Sequence, residues 1–191
     1  MRHHPLPFKI MAIDPGNNMG ICIAEIDGAT QTLRVIESIT LVIDKALKFN
    51  DYTLWQRFTK WELTEFYLDD VLTQLLNSHD IDAVIYESAF HAASIVAYEA
   101  LLFYGRVIKN VSMVYDYDIL VESKTPSNIK KINKVDGRSG DKNLMTETVR
   151  NNPQIILPEH IVLDELTEHA IDAIAIAYSV VHDMVEALPP L

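Results

Sequence analysis

The 191 residues contain a single cysteine, Cys22. An internal disulfide is therefore excluded, and with it the stapled framework of small secreted domains. Cys22 lies in the apolar run Ile21-Cys22-Ile23-Ala24, which reads as a packed core thiol rather than a nucleophile. Long hydrophobic stretches are also missing. None approaches the roughly 20 residues that span a bilayer, so a membrane is not an expected partner. The opening Met-Arg-His-His-Pro-Leu-Pro has no apolar segment followed by a small-residue cleavage site. No secretory signal is expected, and residues 1–7 are expected to be flexible. A reducing cytoplasm fits both observations. Repeats and low-complexity linkers are absent, so one domain over residues 1–191 is expected, which is enough chain for one full core.

Positive charge is in short supply: 16 Lys and Arg face 27 Asp and Glu, for a net charge of −11. That balance speaks against nucleic acid until it is read locally. Residues 124–150 hold Lys124, Lys130, Lys131, Lys134, Arg138, Lys142 and Arg150 against Asp136, Asp141 and Glu147, whereas residues 151–191 hold seven acids and neither Lys nor Arg. A basic strip on an acidic body suits a protein that meets DNA at one surface, because phosphate contacts respond to local potential.

Apolar residues make up 49% of the chain and aromatic residues 8%, which excludes an extended disordered protein. Residues 8–14 and 19–26 read as strands joined by the turn Pro15-Gly16-Asn17-Asn18, and the β-branched run 33–43 as a third strand of a meander. Leu54, Phe58, Trp61, Leu68, Leu72 and Leu75 predict a long amphipathic helix over 53–77. Residues 82–87 follow as a buried strand. Ala93, Val96, Ala100, Tyr104 and Val107 mark the inner face of a second helix, and 111–121 suggests a further strand. Pro126 starts a short helix, another runs over 142–150, and a loop holds Pro153 and Pro158. The last helix is expected from about Asp164 to Glu186, with Ile171, Ile174, Ala175, Tyr178 and Val181 inward. This pattern describes a mixed α/β sheet, a three-strand antiparallel meander plus parallel strands, flanked by helices.

Three acids stand out. Asp14 ends the run Ile10-Met11-Ala12-Ile13 directly before a tight turn, and Glu87 ends Ala83-Val84-Ile85-Tyr86. Asp172 sits in Ala170-Ile171-Asp172-Ala173-Ile174-Ala175, where a charge is costly unless paired or metal-bound. His169 shares its helix face at a spacing of three, while Glu168 points about 100° away and is the substitute. Such carboxylates suit hard divalent ions, which need few protein ligands. Two ions about 4 Å apart activate water, compensate charge and assist a leaving oxyanion in phosphodiester hydrolysis. His169 could take a metal, activate water or stabilise developing charge when protonated. His3 and His4 read as a frayed terminus, and His79, His91, His160 and His182 have no mutual ligand spacing, so zinc is unsupported.

Ile13-Asp14-Pro15-Gly16 with Gly20, then Tyr86-Glu87-Ser88-Ala89-Phe90, then Glu168-His169-Ala170-Ile171-Asp172-Ala173-Ile174-Ala175-Ile176-Ala177, in this order, resemble the RuvC-type Holliday junction resolvases of the ribonuclease H-like superfamily. The resemblance spans roughly residues 8–182 and is weak over 44–78. It implies a ribonuclease H-like fold and a homodimeric Mg²⁺-dependent endonuclease, with Mn²⁺ as substitute, that nicks four-way DNA junctions symmetrically. It further implies Asp14, Glu87, His169 and Asp172 as catalytic residues and metal ligands, in a bacterial cytoplasm or in a host cell if phage-encoded. Phe90 matches an aromatic position that approaches unpaired bases. The helix beginning near Ala92 would contribute to the dimer interface. Lys130, Lys131, Lys134, Arg138 and Lys142 match the family's basic segment, with looser glycine spacing and with Asp136 and Asp141 interrupting the charge. Rival readings are a nuclease of the same fold acting on flaps, forks or RNA–DNA hybrids, a non-catalytic junction-binding module, and a nucleotide-binding domain, since Asp14-Pro15-Gly16 also resembles the phosphate loop of sugar-kinase and actin-like ATPases.

Overall fold

A computed structural model describes residues 7–48, 56–90, 94–135 and 143–187. Six strands form one sheet in the order β5-β4-β1-β2-β3-β6. The strands β1 (Phe8–Asp14), β2 (Asn18–Asp27) and β3 (Thr32–Val42) make the expected antiparallel meander. Parallel pairings add β4 (Ala83–Glu87) to β1, β5 (Leu120–Lys124) to β4, and the two-residue β6 (Ile155–Ile156) to β3.

Strand alternation divides the core in two. Ile10, Ala12, Cys22, Ala24, Ala83 and Ile85 face α6 (Glu168–Ala187), behind which lie α4 (Pro126–Ile132) and α5 (Asn143–Asn151). Met11, Ile13, Met19, Ile21, Ile23 and Val84 face α1 (Ile43–Leu47), α2 (Lys60–His79) and α3 (Ile95–Tyr115). A register shift opposite Ile23 and Ala24 lets β3 keep Leu33 and Val35 on the α6 side and then present Ser38 there as well. The bulge thus resets which face the upper half of β3 shows. Cys22 is fully buried and burial pushes its thiol far up, as expected of a core thiol.

Several boundaries differ from those read in the sequence, each for a local reason. Helix α2 starts at Lys60 because Thr59 and Glu62 form a capping box, and it ends where Asp80 turns left-handed at φ 54°. Phe58 lies before the helix, packed edge-on against Phe66, and Trp61 is exposed, so the buried stripe is Leu63, Leu68, Leu72 and Leu76. The expected strand over 111–121 is corrected. Helix α3 continues to Tyr115, since Val111 and Ser112 prolong the buried stripe of Tyr104, Val107 and Ile108. Strand β5 begins only after a turn in which Asp116 accepts from the Asp118 amide. Val96, expected inward, is 72% exposed, because the buried stripe of α3 starts only at Tyr104. The last helix begins at Glu168, after a 3₁₀ turn at Leu163–Glu165. Leu54, His91, Ala93, Arg138, Lys142 and residues 1–6 lie outside the described residues. No described helix is long and apolar enough to cross a membrane.

The far end of α6 is tied to the edge strand β5. Lys124, whose side chain is 2% exposed, pairs with Asp183 of α6 and lies 3.3 Å from Glu122. Removing one partner of a buried pair strands the other charge. Asp183→Asn is expected to lower stability in urea denaturation by on the order of 2 kcal/mol, less than a fully buried pair because Asp183 is half-exposed. Adding Lys124→Met should restore most of the loss.

Candidate active site

Asp14 and Glu87 end the adjacent parallel strands β1 and β4. Each continues the alternation of its strand, Ile10, Ala12 and then Asp14, or Ala83, Ile85 and then Glu87, so both carboxylates stand on the sheet face that α6 covers. The first turn of α6 brings His169 over Asp14: Nδ1 lies 2.9 Å from Asp14 Oδ2. Asp172 follows three residues later, on the same side of the helix.

This approach requires Gly20, which pairs with Asp14 across the meander. A Cβ built there would lie 1.9 Å from the His169 carbonyl oxygen and 2.4 Å from its carbon. Only a residue without a side chain lets the helix backbone touch the sheet at this point. The rest of α6 is suited to the same close approach, with Ala170, Ala173, Ala175 and Ala177 all buried.

The acids form one electrostatic group. Burial first, then the charges of Asp14 and Asp172, push Glu87 up to about 7, with Lys130 pulling it down. Burial and then Asp14 push Asp172 up to about 6, against the opposing pull of His169 and Lys130. Asp14 is also raised by burial, opposed by its hydrogen bond to His169. Glu168 is exposed, and its carboxylate is 4.0 Å from His169 Nε2. It adds negative charge beside Asp14 and Asp172 without joining them on the inner face.

Among the described residues, no three His, Cys, Asp or Glu side chains are drawn together tightly enough to enclose an ion. The chemistry of the acids nonetheless fits a hard cation: these are buried oxygen donors, Glu87 and Asp172 pushed up by burial and by the charge of Asp14, and they gain from a positive charge that Lys130 supplies only in part.

The expected DNA contacts are placed unevenly. Phe90 is 61% exposed just beyond β4, not a core residue. On α4, Ile129 and Ile132 are buried while Lys131 is exposed; Lys134 follows at a left-handed φ of 56°. Lys130, expected among the DNA-binding residues, is half-buried and close enough to act on Glu87 and Asp172. Sequence reading missed Ser38, Thr40 and Thr167, which hold the first turn of α6. Thr167 stands at the cap position before Glu168, a signal the sequence carries, whereas Ser38 and Thr40 are placed by the register of β3 on β2.

The sheet order, the helical layers and the acids at the ends of β1 and β4 define the ribonuclease H-like fold. Solved structures of this fold that match the chain include Holliday junction resolvases. Thermus thermophilus RuvC in complex with a Holliday junction substrate matches at a TM-score of 0.67 and 15% identity, over 96% of this chain and 100% of that one. The yeast mitochondrial resolvase Ydc2 matches at 0.69 and 12%, over 94% of this chain and 80% of that one. The fowlpox virus resolvase with its junction DNA matches at 0.53 and 14%, over 93% and 99%. No protein-family model and no curated protein matches the chain. The chain thus has the RuvC-type resolvase fold.

Two outcomes are expected. Gly20→Ala should cost about 3 kcal/mol through overpacking against helix backbone and abolish the imidazole signature of the Asp14–His169 hydrogen bond in NMR spectra. The second concerns pH. Glu87 and Asp172 hold protons more tightly folded than unfolded, so between their ordinary values of 4.5 and 3.8 and the raised values of about 7 and 6 stability falls as pH rises. In EDTA, Glu87→Gln should therefore match the parent near pH 4 and exceed it at pH 8, by on the order of 2–3 kcal/mol. Parallel curves would refute the raised pKa.

Proposed function

We propose that the protein is a structure-selective DNA endonuclease that resolves Holliday junctions by metal-dependent phosphodiester hydrolysis. The observation that carries this reading is the convergence of Asp14, Glu87 and Asp172, from two strand ends and the start of a helix, on the sheet face where His169 hydrogen-bonds Asp14. The fold shared with resolvases, two of them solved with junction DNA, supports the substrate assignment.

Asp14, Glu87 and Asp172 would hold Mg²⁺, or Mn²⁺ in its place, with His169 as a neighbouring nitrogen donor. Divalent ions supply a water made nucleophilic at neutral pH and compensation for charge on the phosphoryl oxygens. The remaining chemistry belongs to the chain. Because the ionised Asp14 carboxylate only accepts, His169 donates through Nδ1, which fixes the tautomer and leaves Nε2 as the acceptor. The imidazole is thus oriented to receive a proton at Nε2 or to act as a ligand there. Asp14 keeps Oδ1 for an ion. Lys130 adds positive charge from the α4 side, where a phosphate would enter.

Lys131 and Lys134 would extend that positive charge, joined in the sequence by Arg138 and Lys142, and exposed Phe90, three residues after Glu87, would serve as an apolar contact for unpaired bases. The same reading supplies a homodimer through the exposed start of α3. Ile95, Val96 and Leu102 are solvent-facing there, and Trp61 and Phe66 of α2 are exposed as well. A two-fold dimer presents two sites to a two-fold junction.

The test is Asp14→Asn on a labelled immobile four-way junction with Mg²⁺ or EDTA. Cleavage should fall by at least about 10²–10³-fold as transition-state charge loses its compensation, while junction binding in EDTA persists. Paired symmetric nicks confined to the junction support the proposal. Equal cutting of flaps or duplex keeps the nuclease and removes the junction specificity, and a wild-type protein that binds without cutting in either ion sinks the catalytic reading.

A further inference from the structure

Asp14, Gly20 and Thr40 form one row across β1, β2 and β3: Asp14 pairs with Gly20, and Gly20 pairs with Thr40. All three face α6. Ser38, two residues before Thr40 on the same face, pairs with Cys22. Above this row lies the first turn of α6, and β3 grips it with two hydroxyls. Ser38 Oγ donates to the Ala170 carbonyl at 3.0 Å. Thr40 Oγ1 is hydrogen-bonded to Thr167 Oγ1. Thr167 is the helix cap, since its Oγ1 accepts from the Ala170 amide at 3.2 Å.

Each contact constrains a different freedom. Gly20 permits the helix to descend to backbone contact but offers nothing to hold it. The Ser38 bond fixes the position of Ala170, the residue after His169. The Thr40–Thr167 bond fixes the cap and hence the rotation of the first turn about its axis. A rotation of one residue amounts to about 100°, enough to carry His169 from Asp14 into solvent and bring Glu168 inward. Glu168 differs from its neighbour in charge, so helix rotation decides whether Asp14 faces an imidazole or another carboxylate.

We infer that Ser38 and Thr40 are positioning residues that hold α6 in the one rotation placing His169 and Asp172 over Asp14, and that they thereby set the metal affinity of the site. The inference rests on the proposed nuclease reading only for its metal; the rotational clamp stands on the hydrogen bonds themselves. Its consequence is that two hydroxyls of β3, bonded to the helix rather than to the acids, govern how the acids meet an ion. Deleting an outer contact that orients a ligand commonly weakens metal binding about 10–100-fold.

The experiment compares wild type, Thr40→Val, Thr40→Ser and Ser38→Ala. Two measurements are made on each: Mn²⁺ binding by electron paramagnetic resonance without DNA, and ¹⁵N NMR of the imidazole in EDTA, which reports the Nδ1 proton held by Asp14. Thr40→Val is isosteric and should remain folded, with Mn²⁺ affinity down about tenfold and the His169 signature shifted toward a solvent-averaged tautomer. Thr40→Ser restores the hydroxyl and should restore both. Ser38→Ala removes only the donor to Ala170 and should shift both readouts in the same direction, so the test survives if Thr40→Val does not fold. The inference is overturned if the valine and alanine variants keep the wild-type imidazole signature, or if serine rescues no better than valine. Wild type that binds no Mn²⁺ while the imidazole responds to Thr40→Val would retain the clamp and discard the metal reading, so the two failures are distinguishable.

Discussion

The contact between the first turn of α6 and the upper edge of β2 is the constraint on which the site depends. Carboxylates at the ends of β1 and β4 are placed by the sheet alone, but nothing in a sheet supplies the third acid or the imidazole. Those come from a helix, and a helix resting at an ordinary distance on side chains would hold them too far away. The missing Cβ at Gly20, with a helix carbonyl in its place, removes that separation. The buried alanines at 170, 173, 175 and 177 continue the close approach along α6. Close packing here is therefore not simply a matter of core density. It converts sheet-to-helix distance into hydrogen-bond distance between Asp14 and His169.

That proximity has an electrostatic cost which the fold does not fully offset. Glu87 and Asp172 are raised first by burial and then by Asp14, and what opposes this is Lys130 for Glu87, and His169 with Lys130 for Asp172. Elsewhere the chain handles a buried charge differently. Lys124, directly opposite Glu87 in the β4–β5 register, is satisfied by Asp183 and Glu122. The contrast separates two uses of buried charge in one sheet. At Lys124 the charges compensate each other and tie a helix to an edge strand. At Asp14, Glu87 and Asp172 like charges are held together, an arrangement that suits a cation brought from outside.

Much of this was legible in the sequence, because strands and turns carry strong local signals. The meander over residues 8–43 is written in apolar runs broken by Pro15, Gly16 and Asn17, and Asp14 and Glu87 are visible as charges ending such runs. Asp172 was visible as a charge in an alanine-rich stretch. The long-range facts were less accessible. Strand 111–121 was expected because Val, Tyr and Ile favour strands, yet Val111 lies four residues beyond Val107, and burial against the sheet extended the helix. The start of α2 was set by the Thr59–Glu62 capping box, a polar signal that apolar periodicity overlooks. Thr40 and Thr167 are 127 residues apart and meet through a single hydrogen bond; their contact follows only from the register of β2 on β3.

Charge separation within the molecule also bears on how an acidic chain would present itself to DNA under the proposed function. Of the seven acids beyond residue 150, Glu168 and Asp172 lie at the site, while Lys131 on α4 and Lys134 just after it are exposed. At physiological salt, potentials decay over about 8 Å, so a phosphate at that edge would feel the lysines more than acids beyond that range. Lys130 lies where this positive edge meets the acid group, and its charge reaches both Glu87 and Asp172. On the proposed reading, a strand following the basic edge would be led toward the carboxylates, which would repel its phosphates until cations stood between them. The same acids that would make the chemistry possible would then also make productive binding depend on the metal, whereas the basic edge would engage DNA without it.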